Sequence, residues 1–190
     1  QREVILSQRK FLVLNCGRKV GKTTAISARA AYRMLNENFA LTDGILILSK
    51  GQRQAKEILM TVKTFLHKTG IAFVRDRVDA SAKGCAYSST TEIVMPNGNR
   101  LLALPAGYTG DNLRPYSFIE IDFDEDDFIA EDVHPATEAC LAVYDGTKLV
   151  ASTWNRETGR HGNFYKAVHS TEAKHWTIPT RLCARVPKEW

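Results

Sequence analysis

Residues 11–26 read FLVLNCGRKVGKTTAI: an apolar run, a turn rich in glycine and lysine, and the start of a helical pattern. Phe11–Asn15 has the length and composition of a buried strand, and from Thr23 to about Asn36 apolar residues recur at helical spacing, at Ile26, Ala30 and Met34. Between them, Cys16-Gly17-Arg18-Lys19-Val20-Gly21-Lys22-Thr23 fits GxxxxGK[ST] except that Cys16 stands where the first glycine is usual. Strand, loop and helix follow in the order that a phosphate-binding loop requires. In such a loop the main-chain N–H groups curl round phosphates and the helix N-terminus favours their negative charge. Gly17 and Gly21 supply the close backbone approach and the turn geometry. Lys22 would reach the β- and γ-phosphates, and the Thr23 hydroxyl would bind Mg2+. Arg18 is placed to touch the γ-phosphate or an acidic cluster, and Lys19 and Thr24 join the expected nucleotide contacts. The expected ligands are ATP and Mg2+.

That loop gives meaning to a second stretch, FIEIDFDEDDF at 118–128, with six carboxylates in eleven residues of an otherwise β-prone run. A buried carboxylate is costly unless a cation or a hydrogen-bond donor meets it. ATP-hydrolysing phosphate-loop proteins use a second strand ending in an Asp that holds Mg2+, and a Glu directly after it activates the attacking water. Asp124-Glu125 ends the strand and fits those roles, with Asp126 and Asp127 expected beyond the strand end, in solvent or near the outer shell of the metal. Asp122 is the alternative metal-holding Asp, although Phe123 and not an acid follows it. Period-two alternation puts Glu120 and Asp122 on the same face as Asp124, where a central strand is normally apolar. Either basic residues meet them or the strand is less buried than its neighbours.

The remaining pattern alternates strands and helices. Ile45–Leu48 reads as a second buried strand, and Gln52–Lys68 carries Ile58, Leu59, Val62, Phe65 and Leu66 on a helical stripe. Thr91–Met95 and Arg100–Leu104 flank Pro96-Asn97-Gly98, a hairpin signal. Pro135–Val143 and Asn163–His169 look helical, Leu149–Ser152 is an apolar strand, and Thr177-Ile178 would close the sheet. The expected fold is α/β, a P-loop NTPase of the ASCE/RecA-like type with a mostly parallel central sheet flanked by helices. Ser152 and Thr153, ending the strand expected beside Asp124, would either sense the γ-phosphate or cap the turn.

At 190 residues the chain suits one domain: residues 1–180 as the ATPase domain and 181–190 as the start of a linker. It begins at Gln1 without Met and shows no signal-peptide pattern, and so reads as part of a longer protein. No apolar run approaches the roughly 20 residues that span a bilayer. Cys16, Cys85, Cys140 and Cys183 form no CxxC pair and read as reduced thiols, and the histidines show no metal-ligand spacing. The net charge is +5, with eight Lys/Arg against one acid before residue 34 and nine acids against Arg114 alone from Asp111 to Asp132. A basic balance suits a polyanion, but weakly.

These motifs resemble the ATPase domain of a large terminase subunit, the motor that packages DNA into procapsids of tailed viruses. CGRKVGKT is similar to that family's loop, including its Cys, and Asp124-Glu125-Asp126-Asp127-Phe128-Ile129 resembles its metal segment, a register that favours Asp124 over Asp122. NGNRLLALPAGYTGDNLRPYSF resembles the hairpin and the element before the acidic strand, with Pro115 where the family usually has Gly. Ala151-Ser152-Thr153-Trp154-Asn155 is similar to the coupling motif, with Trp154 where Pro is common, and Gly162-Asn163-Phe164-Tyr165 is similar to a further family element. Gln1-Arg2-Glu3 resembles the adenine-contacting segment.

The resemblance implies double-stranded viral DNA, a portal protein and a small terminase subunit as partners. It also implies a homo-oligomeric ring during packaging, no membrane, and a location in the cytoplasm of an infected prokaryotic host. Arg114 would then serve a neighbouring subunit's γ-phosphate, against the alternative that it neutralises Glu120, Asp122 or another acid of its own chain. Arg156, Arg160 and His161 form a basic loop that is either simply solvated, as surface-loop bases usually are, or placed to meet DNA. A nuclease domain would lie beyond Trp190, so no nuclease activity is expected here. Two other readings stand beside this one. A helicase-like DNA-dependent ATPase would carry further helicase motifs, and a nucleotide-regulated switch or adaptor would not need a water-activating Glu.

Overall fold

The computed structural model describes residues 1–107, 113–154 and 160–182. The tail from Cys183, most of the expected linker, lies outside them, as do Asn155 and Arg156. In chain order the elements are α1 (Arg2–Leu6), β1 (Phe11–Cys16), α2 (Lys22–Asn36), β2 (Ile45–Ser49), α3 (Gln52–Lys68), β3 (Phe73–Val74), α4 (Arg77–Lys83), β4 (Ala86–Ser88), β5 (Glu92–Val94), β6 (Arg100–Pro105), β7 (Glu120–Asp124), α5 (Val133–Ala142), β8 (Thr147–Ser152), α6 (Asn163–Val168) and β9 (Lys174–Ile178). A 3-10 turn, Asp126–Phe128, follows β7.

Among the described residues, nine strands form one sheet in the order β3-β4-β5-β6-β2-β7-β8-β1-β9. Every pair from β6 to β9 is parallel, and β5 is antiparallel to both its neighbours. The expected α/β architecture with a mostly parallel sheet is the one observed. Strands covered on both faces are apolar without a break, and so Ile45–Leu48 is buried at every position. One face packs against α2 and α3 through Ile26, Ala30, Met34, Ile58, Leu59 and Val62. The other packs against α5 and α6 through Val133, Leu141, Phe164 and Ala167.

Sequence periodicity located the long elements closely and missed the short ones: α1, β3, α4 and β4. These four carry neither an unbroken apolar run nor a helical stripe that sets them off from their surroundings. Their stabilisation is instead local or tertiary. Asp76 caps α4 by accepting from Val78 N and Asp79 N. The buried Asn99 closes the end of α2 by donating to Met34 O and Glu37 O while accepting from Phe39 N.

The face of β7 that carries Glu120, Asp122 and Asp124 lies beside Ile45, Ile47 and Leu149, within the fully covered sheet. Basic residues do meet the deepest acid. Arg29 donates from Nε and Nη2 to both Glu120 oxygens at 2.8–3.1 Å, and Arg33 Nη1 donates to Oε2 at 2.5 Å. Arg29 Nη1 also donates to the carbonyls of Val4, Ile5 and Ser7, which pins α1 to the domain. Glu120 is thus neutralised from α2, by Arg29 and Arg33.

A second correction concerns the acids after the strand. Asp126 and Asp127 are buried, not in solvent. Asp126 faces His134 Nε2 at 3.2 Å, whose ring stacks on Phe123, and Asp127 N donates to Ser152 Oγ at 3.1 Å. The 3-10 turn folds both back onto β8 and α5.

Candidate nucleotide site

In open parallel sheets, ligands bind outside the carboxyl ends of the strands. Here β8 is interposed between β1 and β7. The loop after β1, Thr153 after β8 and Glu125 after β7 therefore emerge in a row at one edge. They line a cavity of about 650 Å³ with Arg18, Lys19, Gly21, Lys22, Thr23, Thr24, Lys50, Gln54 and Phe128.

The loop geometry follows from its residues. Gly17 N donates to Ile178 O at 2.8 Å, and a Cβ at Gly17 would collide with the Thr180 backbone. Gly21 has φ 90°, a conformation that side chains other than glycine's rarely adopt, and Lys19 is also left-handed at φ 64°. Lys22 opens α2, and its buried amine donates to the carbonyls of Cys16 and Gly17, each at 3.1 Å. It lies 3.9 Å from Glu125 Oε1. Gln1 Nε2 donates to Gly21 O at 3.4 Å, which places the first residue against the loop.

Asp124 is the last residue of β7, and Thr23 Oγ1 donates to its Oδ2 at 3.0 Å. Its Oδ1 is buried and meets no donor. Burial pushes the Asp124 carboxyl up to about 6; the charge of Glu125 adds to this, and the Thr23 hydrogen bond and Lys22 oppose it. Asp122 lies two residues deeper, with neither oxygen hydrogen-bonded. Burial, with the Glu120 charge, raises it well above the usual carboxylate range despite Arg29 and Arg33. Asp122 sits inside the sheet whereas Asp124 ends the strand beside the Thr23 hydroxyl, and so the geometry favours Asp124 for a cation at the strand tip. The pair of groups suits Mg2+: a hard cation takes oxygen ligands and keeps several waters, and a hydroxyl beside a carboxylate with one unmet oxygen offers that donor set. Among the described residues no cluster of three or more His, Cys, Asp or Glu is arranged to hold a metal.

Glu125 stands in the left-handed region at φ 61°, ψ 46°. Such strain in a residue other than glycine costs about 1–3 kcal/mol and concentrates at functional sites. The turn aims the carboxylate across β8, where Thr153 Oγ1 donates to Oε2 at 3.2 Å. Ser152 does not line the cavity; its Oγ donates to Thr153 O at 3.0 Å and accepts from Asp127 N, bracing the turn. Arg114 is exposed on the turn 113–115 and is not among the cavity residues. Arg160 and His161 are exposed as well. Lys50, Gln54 and Phe128 escaped the sequence reading, because only the strand order brings the end of β2 beside β7.

Compared by sequence, the chain matches no family model and no curated protein. Compared by structure, it is similar to the large terminase from a thermophilic bacteriophage, with a TM-score of 0.72 at 14% identity over 99% of this chain and 47% of that one. The same terminase in complex with ATP-gamma-S gives 0.69 at 13% identity, over 99% and 46%. The Thermus phage P74-26 large terminase ATPase domain gives 0.61 at 19% identity, over 91% and 77%. The chain spans about half the length of the first of these proteins. At these identities the likeness is one of fold alone.

Proposed function

We propose that this chain is the ATPase motor domain of a viral large terminase, hydrolysing ATP to translocate double-stranded DNA into a procapsid. The observation that carries the reading is the Thr23–Asp124 hydrogen bond at the mouth of the phosphate loop, with the strained Glu125 next in sequence, on a fold shared with terminase ATPase domains. Main-chain N–H groups of 17–23 and the Lys22 amine hold the phosphates, and Arg18, Lys19 and Thr24 line their approach. Thr23 and Asp124 would hold Mg2+, which would neutralise charge developing on the phosphates. Glu125 orients the attacking water and accepts its proton, a role worth ~10²–10⁴ in rate. Gln1, beside the loop, contacts the adenine ring. Thr153, bonded to Glu125, links that carboxylate to β8, and Ser152 keeps the turn in place.

The finer parts of this reading follow from the resemblance: a homo-oligomeric ring with portal protein and small terminase subunit in the cytoplasm of an infected prokaryotic host, and Arg114 reaching the γ-phosphate of the next subunit. Arginine suits that task because it stays charged and forks onto phosphate oxygens. The exposed position of Arg114, away from its own chain's cavity, supports a role in trans. No helix among the described residues is long and apolar enough to cross a membrane.

The test is ATP hydrolysis with and without duplex DNA, with Lys22→Ala as control. Mg2+-dependent turnover stimulated by DNA and absent in the variant is the expected result. Turnover that is unchanged in Lys22→Ala removes the nucleotide site, and turnover indifferent to DNA at low salt removes the motor.

A further inference from the structure

The reading above leaves one wall of the cavity without a role. Along the sheet the order is β1, β8, β7, β2, and so the phosphate loop, Thr153, Glu125 and then Lys50 follow one another across the site. Ser49 sits beside Asp124 in register, and Lys50 is the next residue. Ser49 Oγ donates to Gly51 O at 3.2 Å, fixing the turn that leads into α3. The Lys50 amine lies over the Phe128 ring, 4.4 Å from its centroid.

The choice of partner is informative. Four consecutive acids, Asp124 to Asp127, follow in the neighbouring strand and turn, yet among the described residues Lys50 pairs with no carboxylate and rests on a ring. A carboxylate would cancel the charge, whereas a cation–π contact at an exposed site is worth about 0.5–1 kcal/mol and leaves the charge available to an anion. Phe128 closes the turn that begins at Glu125, donating from its N–H to Glu125 O at 3.0 Å. The ring that parks the lysine and the Glu125 carboxylate therefore belong to one turn.

We propose that Lys50 recognises the terminal phosphate and so distinguishes a nucleoside triphosphate from a diphosphate. The proposal rests on the nucleotide reading of this cavity. Phosphates seated in the loop after β1 would extend along the row toward β7 and β2, so that the third would come nearest the side where Lys50 stands. Bound triphosphate draws the amine from the Phe128 ring; diphosphate leaves it there. The turn carrying Glu125 thus exchanges a contact according to the state of the nucleotide.

Equilibrium titration calorimetry with Mg2+ and either ATP-gamma-S or ADP tests this without turnover. Lys50→Ala should weaken ATP-gamma-S by about tenfold or more, the loss expected for one charge-assisted contact, and leave ADP within about twofold. Lys50→Arg should keep most of the discrimination. Phe128→Ala should tighten ATP-gamma-S by about two- to fivefold, since the ring no longer competes. Equal weakening of both nucleotides, or of neither, by Lys50→Ala overturns the role of Lys50 while loss of both in Lys22→Ala leaves the site intact. Normal binding of both nucleotides by Lys22→Ala overturns the site and Lys50 with it. Lys50 is exposed, so its variants should melt as the parent does.

Discussion

Glu120 and Asp124 stand at opposite ends of one five-residue strand, on the same face and both buried, yet their surroundings divide their work. Glu120 receives two arginines from α2, and every charge there is matched. Asp124 receives one hydroxyl, keeps an unmet oxygen, and is followed by a strained Glu125 facing Lys22. The root of the strand is a completed ion cluster that holds α1 and α2 to the sheet. Its tip is left incomplete, which is what a site needs if it is to gain energy from a ligand. Burial alone does not mark a functional acid, and neither does an unmet oxygen by itself, since Asp122 has two; an unmet oxygen at the strand tip, beside the hydroxyl of the phosphate loop, does.

That contrast can be broken by experiment. Glu125→Gln should lower ATP hydrolysis by ~10²–10⁴ with nucleotide affinity and thermal stability retained, as measured by single-turnover kinetics and a melt. A stability loss there would make the tip structural too. Glu120→Ala should do the opposite, destabilising the domain by about 3–5 kcal/mol because the buried Arg29 guanidinium loses its carboxylate partner and Arg33 is left with Glu37 alone, as read by denaturant unfolding. A loss below about 1 kcal/mol, less than one good buried hydrogen bond, would show that the cluster is dispensable.

Asp124 sharpens the comparison through pH. Its folded value of about 6 lies above the ordinary carboxylate value, so the folded chain binds that proton more tightly than the unfolded chain. This contribution to stability is present below the unfolded value and is lost as pH rises through about 6. Mg2+-dependent nucleotide binding runs the other way, weakening as pH falls through about 6, because the protonated acid cannot hold the cation. Asp124→Asn should flatten both profiles, and a flat wild-type profile from about pH 5 to about pH 7 would refute the assignment. The smallest effect belongs to Thr153→Ala. Losing one hydrogen bond to Glu125, worth about 0.5–1.5 kcal/mol, should slow turnover by roughly two- to tenfold with the affinities for nucleotide unchanged.

The sequence alone carried the loop and the α/β order, since both are written in local spacing: GKT at a strand-to-helix junction, apolar runs of strand length, and stripes at helical period. It also carried Asp124-Glu125, because an acid pair at the end of an apolar run is rare and its cost demands a purpose. It could not reveal what meets Glu120, because Arg29 and Arg33 are 91 and 87 residues away and become neighbours only when α2 crosses β7. Nor could it show that Asp126 and Asp127 fold inward, or that Lys50 and Phe128 join the site. Strand order is set by how a whole sheet packs between two helical layers, and a chain read one residue at a time records periods and not adjacencies. The residues that make the loop are consecutive, and so the sequence determined them; those that complete the site come from the ends of β1, β8, β7 and β2, and only the tertiary structure decided them.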